Sequence, residues 1–318
     1  MMPLNMKGLI SAPHTPMNDE GALNCEAVQS QADWLVRSGV VGVFLGGTTG
    51  EWSSMTTAER ASLQTAWGQA DTTLTRIAHV GHNSQQDAID LATHAAKAGV
   101  EAIAAVAPSF LKPDSAQALA EFFAPIAEAA PSLPFYIYHI PGLSGVNISP
   151  MEQIEVCGRM IPSFAGMKYT DPDLFSFARC QDRFAGTYEL MWGVDEMLLG
   201  ALPFGAKSAV GSTYNYAAPL YLDMIKAYEL GEHERAQYQG QRVVKLVEIL
   251  LEFGVLAAGK ALMSLRGVEC GPARQPVQQL SQARMQELFD RVDDAELLDP
   301  VPEIVITQTS AKDLARKS

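Results

Sequence analysis

The sequence predicts a (β/α)8 barrel with an additional C-terminal helical bundle, and three observations carry that prediction. Short apolar, β-branched runs alternate with longer amphipathic stretches, the pattern of repeated βα units feeding a parallel sheet. Eight strand signals, each trailed by a helix, fall within about 220 residues, the span such a barrel takes. No G-x-G-x-x-G opens a helix after the first strand, which sets a doubly wound sheet back.

The first strand is Gly8 to Ala12, followed by a helical stretch from Cys25 to Arg37 that Ser38-Gly39 stops. The second, Val40 to Leu45, runs directly into Gly46-Gly47-Thr48-Thr49-Gly50-Glu51. Thr56 or Thr57 then caps a helix, with Glu59 placed for a capping box. The third strand is Arg76 to Gly81, and its helix runs from about Ser84 to Ala98 with Gly99 as the stop. The fourth is Glu101 to Ala107, closed by Pro108, with a helix from about Ser115 to Ala130. The fifth is Phe135 to Ile140, closed by Pro141-Gly142, after which Ser149-Pro150 opens a short helix. Ser163 to Thr170 is the sixth, Tyr188 to Trp192 the seventh and Lys207 to Ser212 the eighth. Residues 7–218 are therefore assigned to the barrel and 219–295 to a helical region packed on it. Residues 299–318 mix prolines, charges and small polar side chains, and are expected to be loosely ordered.

The 318 residues are long enough for a generous core, and 47% hydrophobic with 19% charged is ordinary for a soluble globular protein. A net charge of -13 argues against a nucleic-acid or anionic-membrane partner and favours a soluble, self-repelling molecule. If its ligand is an anion, positive or hydrogen-bonding groups must be gathered locally. Cys25, Cys157, Cys180 and Cys270 are scattered with no C-x-x-C pair, as reduced thiols in a cytoplasmic protein would be. Met1 to Leu9 lacks the apolar core of a signal peptide, and no apolar run approaches transmembrane length.

In a barrel the chemistry sits at the C-terminal strand ends. The sixth strand spends Lys168 there, where burying an ammonium costs several kcal/mol unless the amine is neutral and hence nucleophilic. The plain alternative is a lysine that snorkels to solvent. Tyr138 and Tyr136 share a face of strand five, and barrel packing is the plain reading of both; Tyr138, however, stands at the strand's mouth, placed to pass a proton to a group held by Lys168. His139 points to the opposite face by alternation. The Gly46–Gly50 turn is either a glycine-rich strand-to-helix turn with no ligand or an anion site whose backbone N–H groups and Thr48 and Thr49 hydroxyls suit a small carboxylate; with no lysine after it, it is not a nucleotide loop. Asp195-Glu196 after strand seven is either a helix cap or a carboxylate pair for substrate hydroxyls. Gly211-Ser212 with Tyr214 and Asn215 is either a second polar wall or a loop that bonds to itself. The six histidines form no metal pattern; His79 and His82, three apart at a strand end, are expected on opposite faces. No H-E-x-x-H and no G-x-S-x-G is present, so metal-dependent and serine-nucleophile chemistries start behind.

These segments together, GGTTGE, Tyr138-His139-Ile140-Pro141, Gly166-Met167-Lys168, GVDE and GSTYN, resemble the superfamily of dihydrodipicolinate synthases and N-acetylneuraminate lyases. The likeness runs from about Lys7 to Gln279 in the family's order and spacing. GVDE followed by AVGSTYN points more narrowly to the lyase branch. The resemblance implies a class I aldolase in which Lys168 forms a Schiff base and Tyr138 relays a proton. It also implies that Thr48 and Thr49 bind a pyruvyl carboxylate. Thr170, Asp195, Glu196 and Ser212 would then face a hydroxylated chain, with Gly193 and Gly211 giving backbone contacts. A homotetramer, no metal and no cofactor beyond the lysine imine are further implications. Phe110 stands where the synthases place a tyrosine lent across a subunit interface, which weakens the synthase reading. Two alternatives remain open: a 2-keto-3-deoxy sugar acid aldolase of the same class, and a silent barrel that binds a keto acid. The second needs neither Lys168 nor Tyr138.

Overall fold

The apolar runs form eight parallel strands: β1 (Gly8–Ser11), β2 (Gly42–Leu45), β3 (Thr75–His79), β4 (Ala102–Val106), β5 (Phe135–His139), β6 (Phe164–Tyr169), β7 (Glu189–Trp192) and β8 (Ser208–Gly211). They pair in chain order and β1 closes onto β8 through Leu9↔Ala209 and Ser11↔Gly211, giving a (β/α)8 barrel in this computed structural model, which describes residues 2–298. The tail expected at residues 299–318 lies outside the described residues.

The connecting helices are α1 (Ala27–Arg37), α2 (Thr57–Gln69), α3 (Gln85–Ala98), α4 (Ala116–Glu128), the single turn α5 (Pro141–Ser144), α6 (Pro150–Met160), α7 (Leu174–Phe184) and the short α8 (Leu198–Ala201). Helices α9 (Tyr214–Glu229), α10 (His233–Phe253), α11 (Val255–Ser264) and α12 (Gln282–Asp294) complete the chain. Their starts follow local chemistry. Thr56 and Glu59 form the capping box on α2, and Ser84, Ser115 and Ser281 accept from the backbone N–H three residues on. The element after Ser149-Pro150 is longer than its reading as a short helix, at 11 residues, because Ile154 and Cys157 bury against the barrel. Tyr214 and Asn215 open α9 instead of belonging to a loop. Pro219 has no N–H for the Asn215 carbonyl four residues earlier, the helix kinks at Ala217, and the Trp34 indole N–H donates to that carbonyl at 2.7 Å.

Side chains sort into two layers. Phe44, Ile77, Ala104, Tyr136, Tyr138, Met191 and Val210 fill the barrel, while Val43, Ile103, Ile137, Met167 and Trp192 meet the helices outside. Strict alternation on β6 would place Ala165 inside and Lys168 outside. Instead Phe135 pairs with Phe164 while Tyr136 pairs with Gly166, so β6 carries one extra residue, a bulge. Beyond it the parity is reversed: Met167 and Tyr169 go outward and Lys168 goes inward beside Tyr138. Gly166 permits this at φ +154°, where a Cβ would lie 1.9 Å from the Glu189 carbonyl oxygen of β7.

Gly166→Ala is therefore expected to destabilise the fold by at least ~2 kcal/mol in urea unfolding, since neither the backbone nor the neighbouring strand can make room. An unfolding midpoint equal to wild type would show that the bulge accepts a side chain.

Candidate active site

The C-terminal strand ends enclose a cavity of about 260 Å³. Lys168 enters it from β6 and is only 4% exposed. Its Nζ lies 4.1 Å from the centre of the Phe44 ring and 4.0 Å from that of Tyr138. Ring faces favour a cation, and the charge of Asp195 pulls the same way. Burial wins over both and brings the amine down to about 7. The snorkelling alternative is thereby excluded: the chain end is inside.

Tyr138, on β5, places its hydroxyl 3.0 Å from Thr48 Oγ1. Burial pushes the phenol up to about 12, against the Thr48 bond, so it stays protonated. Phe44 and His79 hold its ring by edge contacts at 5.2 and 5.7 Å.

Thr48 and Thr49 lie on the turn after β2, and three fixings hold that turn. From below, His79 Nδ1 is 2.9 Å from the Gly46 carbonyl and Nε2 is 3.3 Å from the Val106 N–H. That pattern assigns the proton to Nδ1. The buried Arg60 guanidinium supports this by donating to the carbonyls of His79 (2.7 Å) and Gly81 (2.9 Å). From the side, Thr15 donates to the Gly50 carbonyl at 2.7 Å. From above, Glu51, in a left-handed conformation at φ +58°, pairs with Lys260 of α11 at 2.6 Å and accepts from the Arg274 N–H at 2.7 Å. Both side chains of that ion pair are 2% exposed.

The far wall comes from β6, β7 and β8. The Thr170 N–H donates to the His139 carbonyl at 2.8 Å, which carries the strand geometry one residue further. The Thr170 hydroxyl is buried without a partner among the described residues. Asp195 Oδ2 accepts from the Thr213 N–H (2.9 Å), the Thr213 hydroxyl (2.7 Å) and the Ser212 hydroxyl (3.5 Å). Burial raises this carboxyl to about 6 against those Thr213 bonds. Its close approach to β8 requires Gly211, where a Cβ would lie 2.1 Å from Asp195 Oδ1.

Thr48, Thr49, Tyr138, Lys168, Thr170, Gly193, Asp195, Gly211 and Ser212 thus line one cavity. Glu196 is exposed and does not line it. A larger cleft of about 490 Å³ lies at the opposite end of the barrel, around Asn5, Tyr188 and Lys207, and none of these residues reaches it.

The comparisons with known proteins bear on this site. The sequence matches the Dihydrodipicolinate synthetase family over residues 5–295. The chain belongs to that family. It is 41% identical over 277 residues to N-acetylneuraminate lyase A of Xenopus laevis, covering 86% of this chain and 90% of that one. Its fold superposes with a TM-score of 0.90 on the Proteus mirabilis N-acetylneuraminate lyase, at 36% identity, covering 92% and 99% of the two chains. The Aliivibrio salmonicida N-acetylneuraminate lyase (sialic acid aldolase) gives the same score at 38% identity, covering 92% and 98%.

Several family-site features escape sequence reasoning. Phe44 forms the apolar floor under Lys168, and only its inward parity on β2 could have signalled this. Thr213 anchors Asp195, a role open to any hydroxyl next to Ser212. Tyr214 and Asn215 do not line the cavity as a polar wall: Asn215 Nδ2 donates to the Ser212 carbonyl (2.8 Å) within the segment and to the Ala12 carbonyl (2.6 Å) after β1, tying the segment to itself and to the neighbouring strand end. His79 and His82 do not part to opposite faces. Both rings meet Trp52, at 5.4 and 6.3 Å, because β3 ends at His79 and alternation stops there.

An amine brought to about 7 is reactive at neutral pH. The neutral fraction grows as pH rises through that value, so borohydride trapping of pyruvate on Lys168 is expected to climb to half-maximum near pH 7. A half-maximum near the ordinary lysine value of about 10.5 would refute the buried neutral amine.

Proposed function

We propose that this chain is an N-acetylneuraminate lyase, cleaving the open-chain sugar acid to N-acetylmannosamine and pyruvate through an imine on Lys168. The observation that carries this reading is a near-neutral lysine enclosed with a protonated tyrosine, an anion turn and a polar wall in one cavity. The substrate class rests on the relatives of known activity.

The geometry supports each step. The hydroxyls of Thr48 and Thr49, with the backbone N–H groups of their turn, hold the pyruvyl carboxylate. Lys168 Nζ adds to the C2 ketone, and the C2 oxygen leaves as water carrying the Tyr138 phenol proton, giving a protonated imine beside a phenolate. That cation accepts the electron pair of the C3–C4 bond far better than a ketone does. Tyr138 takes the C4 hydroxyl proton as the bond breaks, the aldehyde departs, and an enamine remains. Protonation at C3 and hydrolysis then return pyruvate and the free amine, so the proton lost at the C4 oxygen is matched by the one gained at C3. A phenol near 12 suits a relay that gives and takes a proton in one passage. The Asp195 carboxylate favours the iminium charge, and with Thr170, Ser212 and the backbone at Gly193 and Gly211 it meets the polyol. Glu196, exposed and outside the cavity lining, would meet only a part of the polyol that projects from the cavity. No metal or cofactor takes part in this scheme.

The enzyme acts in the cytoplasm as a homotetramer in this reading. No described helix is long and apolar enough to cross a membrane. Phe110 and Leu111, 85% and 83% exposed on the loop after β4, supply apolar surface for a subunit contact.

Three measurements test the proposal. Borohydride with pyruvate should add mass to a peptide containing Lys168, and Lys168→Ala should abolish both adduct and turnover. Pyruvate release from N-acetylneuraminate should exceed that from 2-keto-3-deoxygluconate; the reverse ranking would transfer the assignment to the second substrate. Tyr138→Phe should lower kcat by about 10²–10⁴-fold while still forming the Lys168 adduct.

A further inference from the structure

His14 is a polar side chain lining the same cavity that no step above uses. It follows β1 by three residues and precedes Thr15, which braces the carboxylate turn. Its backbone and its ring are both placed by neighbours. Gln31 donates to the His14 carbonyl at 3.0 Å. Tyr216 stacks on the imidazole at 6.4 Å between centres and 14° between planes. Gly259 of α11 leaves it room, since a Cβ there would lie 2.5 Å from Nε2.

Despite that placement, Nδ1 and Nε2 are both buried without a partner among the described residues, and the residue is 1% exposed. An unmatched buried donor or acceptor costs about 1–3 kcal/mol. Packing gives no account of it, because an apolar side chain would fill the slot without leaving two nitrogens dry. The missing partner has to arrive through the cavity. Burial, reinforced by the Lys260 charge, lowers the imidazole to about 3, so the ring is neutral under working conditions. It therefore offers one N–H and one lone pair.

That pair of functions selects among substrate groups. A carboxylate calls only for donors, and Thr48 and Thr49 already supply them. A hydroxyl both gives and takes a hydrogen bond, as a neutral imidazole does. The position agrees: β1 pairs with β8 through Ser11↔Gly211, so His14 continues the Ser212 side of the cavity round toward Thr48. We propose that His14 is a substrate-contacting specificity residue whose neutral imidazole exchanges hydrogen bonds with a hydroxyl of the keto acid's polyol chain, directly or through one bound water. The proposal rests on the lyase reading for the identity of that chain.

The test compares two probes on the full-length enzyme, N-acetylneuraminate, which carries the polyol, and pyruvate, which carries no hydroxyl. His14→Phe removes both nitrogens and keeps a ring against Tyr216. Its kcat/KM for N-acetylneuraminate cleavage is expected to fall at least ~10-fold, the scale of an unpaired polar contact in a binding site. The rate of borohydride trapping with pyruvate should fall at least threefold less than that (order of magnitude from the same contact energy). A kcat/KM like that of wild type overturns the proposal, and so does an equal loss on both probes, which would mark His14 as a structural residue. If His14→Phe does not fold, His14→Leu is read by the same ratio. Wild-type enzyme that traps pyruvate but does not cleave N-acetylneuraminate would instead refute the lyase reading; the same ratio measured with 2-keto-3-deoxygluconate then decides His14.

Discussion

Moving an ammonium out of water into a protein interior costs several kcal/mol, and Lys168 avoids that cost by giving up its proton. Much of the barrel mouth is arranged around this one amine, which is neutral above about pH 7. Phe44 and Tyr138 keep water from it, the β6 bulge aims it inward, and Asp195 stands near enough to favour the cation once the imine forms. A single-residue slip on β6 would put Lys168 among the helices and Met167 in the cavity, with the composition of the strand unchanged.

The C-terminal region, α11 and the connection that follows it, supports the site as well as the core. Lys260 and Arg274 reach back to Glu51 and Glu59, and so fix the turn that carries Thr48 and Thr49. Removing Lys260 would leave Glu51 buried and unpaired in a left-handed backbone, the situation in which a buried pair matters most. Arg60 supports the same turn from within the barrel through His79. The turn can then present its N–H groups without rearranging when a carboxylate binds, which is how a preorganised site lowers the cost of binding.

The overall charge of -13 would repel an anionic keto acid if it were spread evenly over the molecule. In the proposed reading the site meets the anion with backbone N–H groups and two hydroxyls, with the buried Arg60 beneath them. The opposite wall keeps Asp195 anionic above about pH 6, where it accepts from hydroxyls and repels a second negative group. The two ends of the cavity thus ask for different chemistry, a carboxylate at one and a neutral polyol at the other.

Much of this was legible in the sequence. Alternating apolar runs and caps such as Thr56 with Glu59 determined the eight strands and their helices, because those signals are local. Asking what stands at each strand end, and the resemblance those segments carry, picked out Lys168, Tyr138, the Thr48-Thr49 turn and the Asp195 and Ser212 walls as the residues to examine. Period-2 reasoning could not foresee the bulge at Gly166, because it comes from the register of β6 against β5. Nor could it see that Asn215 reaches the Ala12 carbonyl just after β1, or that Thr213 is the anchor of Asp195. Those depend on which distant groups are brought within 3 Å, and so does the open pair of nitrogens on His14. The sequence by itself determined the order of the elements and the chemical types at the barrel mouth. Which way each side chain faces, and whether Lys168 carries a charge, only the closed barrel decided, because parity and burial are properties of strands paired with their neighbours.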